Sequence, residues 1–324
     1  VDRTMLKKIR LALYDKSDYM KNFMQYLYRQ KYHALETRLF TSFENLLYQA
    51  KKGEIDVLLG GEEAEEEFTV LHSLIPQIIL LSEGNMVRED SAFCKIFKYQ
   101  SVPDIMREVL AVVADDDSIV YTEKRATHKS AEILAVYAPF GGSGVSQYAF
   151  SMAKDLSGKF RTLYVNLEAF YGFCEIVTDK KGKPVEDFRG MSEVIFYIRQ
   201  KKEKLALKLE SIIVTEQKLD CLLTVEDYRD LFYMTKEDMN KLIQVLLLET
   251  DYEKIVFDIG FITDAMMVLL EKADRIFMPE ARHPIQKSKQ QAFERLILRE
   301  HLEQIWDKTD KVPVLHRENI SEKR

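Results

Sequence analysis

Short apolar stretches with strand character alternate with stretches of helical period from one end of this chain to the other. That alternation limits the fold sharply. A strand followed by a crossover helix pairs with the next strand in parallel, and a run of such units builds an open sheet with helices on both faces. The first block reads as strands at Ile9–Tyr14, Glu36–Phe40, Ile55–Leu59, Gln77–Leu81 and Cys94–Phe97, with helices over Tyr19–Arg29, Ser42–Lys52 and Val102–Ala114. The pattern breaks in "ADDDSIVYTEKRATHKSAE", which has no sustained period and carries charges of both signs. It resumes with strands at Ile133–Val136, Thr162–Asn166, Ile212–Val214, Lys218–Leu223, Lys254–Asp258, Arg275–Met278 and Val312–Leu315. Helices read at Gly190–Lys202, Thr235–Leu248, Met266–Leu270 and Lys287–Ile305. The expectation is an α/β chain of two doubly wound parallel-sheet domains, residues 1–115 and 132–324, joined by a linker at 116–131.

Bulk properties narrow the function classes. A chain of 324 residues suits two domains better than one core. Hydrophobic residues at 46% and charged ones at 31% mark an ordinary globular protein rather than a disordered one. A net charge of -6 argues against a protein built mainly around nucleic acid. The basic run "RQKKEKLALKL", Arg199 to Leu209, accordingly reads as a solvent-facing helix surface. Cys94, Cys174 and Cys221 are far apart and lack CxxC spacing, which points to a reducing compartment and no structural metal. No apolar run reaches the roughly 18 residues that span a bilayer, and the first residues do not read as a signal peptide, so a cytoplasmic location is expected. Near the other end, Phe293, Leu296, Ile297, Leu302, Ile305 and Trp306 recur at helical spacing before a further strand. That favours a core-facing helix over a membrane anchor.

The chemistry-bearing feature is "VYAPFGGSGVSQYAFSMAKDL", a strand, a glycine turn and a helix. Gly141, Gly142 and Gly144 let the backbone fold tightly, so that successive N–H groups point at a phosphate while the helix adds its positive end. Ser143, Val145, Ser146 and Gln147 complete the turn, and Ser146 with Asp258 of "YEKIVFDIG" could hold magnesium. No nucleophile–histidine–acid set and no histidine pair at metal-ligand spacing stands anywhere in the chain.

In order and spacing, the first block resembles the receiver domain of two-component response regulators, a flavodoxin-like fold. The matching segments are "KIRLALYDKSDYMKNFMQYL", "IDVLLGG", "QIILLS" and "KIFKYQSVPDIMREVL". Where that family keeps an acidic pair for magnesium, this chain has Asp15 and Lys16, and where it keeps the phosphoacceptor aspartate, Gly60 and Gly61. Ser82 and Lys98 suit the family's hydroxyl and lysine positions. Phosphorylation needs the aspartate as nucleophile and magnesium needs carboxylates, so the resemblance implies a degenerate site kept for docking or dimerisation.

The second block resembles the ParA/MinD group of P-loop ATPases with a deviant Walker-A loop, in particular its CpaE-like branch, which joins a receiver-like domain to such an ATPase domain. The family loop K-G-G-x-G-K-[TS]-[TS] aligns with Phe140 to Gln147; the glycines and Ser146 are in register, and both lysines are replaced, by Phe140 and Val145. "RTLYVNLEAFYG", with Asn166 and Glu168 at acidic positions, and "YEKIVFDIGFITDAMMVLLEKADRIFMPE" carry the resemblance further. It implies ATP and magnesium as ligands, a homodimer, and a protein partner in a pilus-assembly-like or partitioning-like system. Loss of one cationic group at such a loop can cost on the order of 10³-fold in rate, so a scaffold or localisation factor that binds ATP without efficient hydrolysis is expected. Two other readings stay open: an active ATPase using a cation supplied in trans by a partner subunit, and a loop that has lost nucleotide, with Phe140 and Val145 filling the phosphate space.

Overall fold

The computed structural model describes residues 8–15, 19–30, 32, 34–84, 92–120, 131–170, 172 and 190–313. Lys16, Cys174 and most of the expected linker lie outside them. The chain divides into two units, Val1–Lys124 and Arg125–Arg324.

The first unit runs β1 (Ile9–Tyr14), α1 (Tyr19–Gln30), β2 (Leu35–Phe40), α2 (Phe43–Lys51), β3 (Val57–Gly61), α3 (Glu65–Thr69), β4 (Gln77–Ser82), β5 (Cys94–Phe97) and α4 (Val102–Asp115). Its sheet has the order β2-β1-β3-β4-β5 with every pairing parallel, the flavodoxin-like doubly wound arrangement. The central strands are covered on both faces, so they read as unbroken apolar runs rather than alternating ones. Strand β3 begins at Val57 rather than Ile55. Asp56 is held there instead, accepting hydrogen bonds from the backbone N–H of Arg10 at 2.8 Å and from its guanidinium at 2.6 and 2.9 Å.

The second unit opens with β6 (Glu132–Tyr137), α5 (Val145–Ser157), β7 (Thr162–Leu167), α6 (Met191–Arg199) and α7 (Leu205–Ile212). Next come β8 (Val214–Glu216), β9 (Leu219–Leu222), α8 (Tyr228–Phe232), α9 (Lys236–Leu248) and β10 (Lys254–Ile259). It closes with α10 (Asp264–Lys272), β11 (Arg275–Pro279), α11 (Pro284–Arg299), α12 (Gln304–Asp307) and β12 (Thr309–Val312). The sheet order is β12-β11-β6-β10-β7-β9-β8. One pairing, β8 with β9, is antiparallel, because Gln217 and Lys218 alone connect the two strands and permit only a hairpin. The core under α5 combines its Ala149, Phe150 and Ala153 with Leu134, Val136, Tyr164 and Val256 of the strands.

Three sequence readings need correction. Ile212 ends a helix, α7, rather than beginning a strand: that helix is buried almost all round, so its sequence has no amphipathic period to betray it. Lys204 and Lys208 of the basic run are buried, and Lys208 pairs with Glu193 at 2.8 Å, so the run is not simply a solvated surface. Helix α11 stops at Arg299, where His301 takes a left-handed φ of 56°, and β12 ends at Val312 instead of beginning there. Phe293, Ile297 and Ile305 are buried, as a core-facing segment requires. Among the described residues no helix is long and apolar enough to cross a membrane.

Candidate functional site

In the second unit, β6 delivers the chain to the glycine turn and α5 carries it away. Gly142 and Gly144 adopt φ of +70° and +69°, a left-handed backbone that suits glycine and little else, and Gly144 caps α5. A methyl group built on Gly141 or Gly142 would meet nothing within 4 Å. The turn therefore opens into space: a cleft of about 410 Å³ lined by every residue from Tyr137 to Gln147, by Glu168, by Ile259–Ile262 and by Lys289. Phe140 is only 4% exposed, and Val145 packs against the core cluster beneath α5. Both side chains leave the cleft open. Ser143, 3% exposed, presents an Oγ with no hydrogen-bond partner in a wall of this cleft.

Behind the turn lie two carboxylates. Strand β10 pairs with β6 on one side and β7 on the other, placing Asp258 opposite Val136 and Asn166. Asp258 is fully buried. Its Oδ2 accepts from Tyr164 Oη at 2.7 Å, and its Oδ1 lies 3.2 Å from Ser146 Oγ. The same hydroxyl lies 2.8 Å from Glu168 Oε1. One hydroxyl proton cannot serve two ionised carboxylates, so the three oxygens are arranged to gather a further positive charge, as a proton or a cation. Burial, reinforced by the charge of Glu168, pushes the Asp258 carboxyl up to about 7. Burial also raises Glu168, against the opposing effect of its Ser146 hydrogen bond. Asn166 positions Glu168 by accepting its backbone N–H at 2.8 Å, and its own Nδ2 is buried without a partner. Hard oxygen donors around a desolvated charge pair fit magnesium, and the open glycine turn with the orphaned Ser143 hydroxyl fits a phosphate chain.

Thus Gly141 to Gln147 line one cleft with Glu168, and Asp258 lies buried behind it, reached through the Ser146 hydroxyl. The sequence did not single out Tyr164 or Lys289. Tyr164 sits at an interior position of an apolar strand, where only the register with β10 reveals its partner. Lys289 is remote in sequence from the turn, and its signal is a lysine standing one helical turn ahead of buried Phe293.

In the first unit, Asp15, Gly60, Gly61, Ser82 and Lys98 gather at the carboxyl ends of β1, β3, β4 and β5. At the end of β3 a side chain has little room. A methyl group on Gly60 would stand 2.5 Å from the buried Phe68 ring, and one on Gly61 would collide with the Glu63 carboxylate. The Lys98 ammonium bonds Glu83 at 2.8 Å, which raises its pKa, and the Ser82 hydroxyl accepts from the Gly84 N–H at 3.2 Å. Asp56, a nearby carboxylate in sequence, is at the opposite end of β3 and locked to Arg10.

No family model matches the chain, and no curated protein does. Among solved structures it is similar to a plasmid partition protein from Borrelia burgdorferi, at 14% identity over 57% of this chain and 78% of the other, with a TM-score of 0.45. It is similar to a ParA family ATPase from Chlorobium tepidum, at 13% identity over 57% and 84%, TM-score 0.44. Cobyrinic acid a,c-diamide synthase from Mycobacterium smegmatis, solved with an ATP analogue and magnesium, is similar at 17% identity over 56% and 72%, TM-score 0.40. At such identities and scores, none of them carries a function across to this chain.

Proposed function

We propose that the second unit binds a nucleoside triphosphate with magnesium, in the manner of the ParA/MinD group, and hydrolyses it poorly if at all. The observation that carries this reading is the open cleft: a turn that has exchanged both lysines for apolar residues still keeps its left-handed glycines, its phosphate-sized opening and two carboxylates on Ser146. Gly141 to Gln147 would wrap the phosphates with backbone N–H groups. Ser146 and Asp258, with Glu168 beside them, would hold the metal, whose part is to neutralise phosphate charge. Tyr164 keeps Asp258 oriented, and Phe140 and Val145 exclude water from the floor of the turn.

The rest of the proposal follows from that chemistry. A protein that grips nucleotide without turning it over serves as a scaffold or localisation factor. We assign the chain to the CpaE-like arrangement, acting as a homodimer with a protein partner of an assembly or positioning system. The first unit, with glycines at the end of β3 and a buried Phe68 ring beside Gly60, would dock rather than signal by phosphorylation. Calorimetry with ATP and magnesium, alongside a phosphate-release assay, tests the core of this. Saturable binding with negligible turnover is expected; turnover at ordinary ATPase rates of about 1 s⁻¹ or more would sink it.

A further inference from the structure

The turn lacks a cation at 140 and 145, yet the cleft does not lack one. Lys289 lines it, the sole basic side chain among its described lining residues. The placement follows from how α11 is seated. Lys289, Phe293 and Ile297 recur every four residues, so they form one stripe along the helix. Phe293 is 5% exposed and Ile297 is fully buried. The Phe293 ring packs between Trp306, 5.9 Å away, and Tyr137, 5.2 Å away. Tyr137 is the last residue of β6, where the chain enters the glycine turn. The stripe that fastens α11 to the sheet thus ends, above the turn, in a lysine where an apolar residue would complete the packing.

That lysine is exposed, and no described carboxylate pairs with it. By contrast Lys154, on α5, is exposed outside the cleft. Ser143 of the same turn keeps a buried hydroxyl with no hydrogen-bond partner. We propose that Lys289 supplies from α11 the charge that a loop lysine would otherwise bring, its ammonium binding the phosphates of a nucleoside triphosphate seated on Gly141 to Gln147. A flexible four-carbon stem carrying a compact charge suits that task, since a phosphate chain can be met from several directions. This inference rests on the nucleotide reading above and adds to it the residue that makes a lysine-free turn workable.

The test is a titration of the full chain with a fluorescent ATP analogue and magnesium. Lys289→Met should weaken binding by about 10- to 100-fold, the range expected for a hydrogen bond to a charged group. Lys289→Arg should stay within a few-fold of the parent. Val145→Lys placed in the Lys289→Met background should recover most of the loss, because the charge returns to the same phosphates. Lys287→Met, an exposed neighbour outside the cleft, should change nothing and controls for general electrostatics. Melting curves verify that each variant folds. If the parent binds and Lys289→Met binds equally well, the role of Lys289 is overturned while the nucleotide reading stands. If neither the parent nor Val145→Lys binds, both fall together.

Discussion

The two units place glycines at strand ends in opposite surroundings. At the carboxyl end of β3, a methyl group on Gly60 would meet the buried Phe68 ring, and one on Gly61 would meet the exposed Glu63 side chain. At the start of α5, Phe140 and Val145 are apolar, and the turn beside them opens into a cleft. Close packing is restored wherever nothing selects against it, because a void forfeits dispersion contacts on every side. A cleft that persists with an orphaned hydroxyl and two desolvated carboxylates is therefore informative in a way that missing signature residues alone are not.

A charged substitution in each unit should separate them most. Gly60→Asp forces a side chain into the Phe68 ring and buries a charge, and urea denaturation should show a loss of about 3 kcal/mol. Acetyl phosphate should still fail to label the variant. Val145→Lys gives up the half-buried contact of Val145 with the core under α5 but borders the open cleft, and should cost about 1 kcal/mol, less than Gly60→Asp, while tightening nucleotide binding. Equal costs at the two positions would abolish the contrast.

A smaller effect concerns the buried charge. The native state holds a proton on Asp258 up to about pH 7, whereas the unfolded chain releases it in the ordinary carboxylate range. Native proton binding therefore exceeds unfolded binding across that window, and this residue's contribution to stability falls as pH rises through it. Asp258→Asn should stabilise the nucleotide-free protein at pH 8 by about 1–2 kcal/mol, and lose that advantage near pH 4. The same variant should abolish the response to magnesium at saturating ATP. In the parent, the apparent magnesium affinity should drop by up to about tenfold from pH 8 to pH 6, because the metal competes with the proton. A gain from Asp258→Asn that persisted at pH 4 would locate its cause elsewhere.

The smallest effect lies within the turn. Gly142→Ala should cost about 1 kcal/mol, because its left-handed backbone disfavours a side chain. Gly141→Ala, with no such constraint, should stay within about 0.5 kcal/mol by thermal melting.

Much of the fold was legible because parallel strands buried on both faces leave long apolar runs, as in Gln77–Leu81 and Lys254–Asp258. The misreadings have separate causes. Helix α7 is buried nearly all round, β8 is too short to show a period, and the turn at His301 carries no glycine to announce it. The candidate site was legible where residues are adjacent in sequence, from Gly141 to Gln147, and at Asp258, which ends a recognisable strand. Tyr164 and Lys289 were not, since each reaches its partner only through sheet register or helix docking.

By itself, then, the sequence determined the two alternating α/β blocks, the glycine turn and the absence of lysine within it, because local pattern and residue identity suffice for those. Only the tertiary structure decided that Gly60 is packed against a ring while the glycine turn stands open, that Asp258 and Glu168 share a single hydroxyl, and that α11 brings a lysine to the turn. Those depend on how far a distant side chain reaches once its own element is packed, and no local pattern encodes that distance.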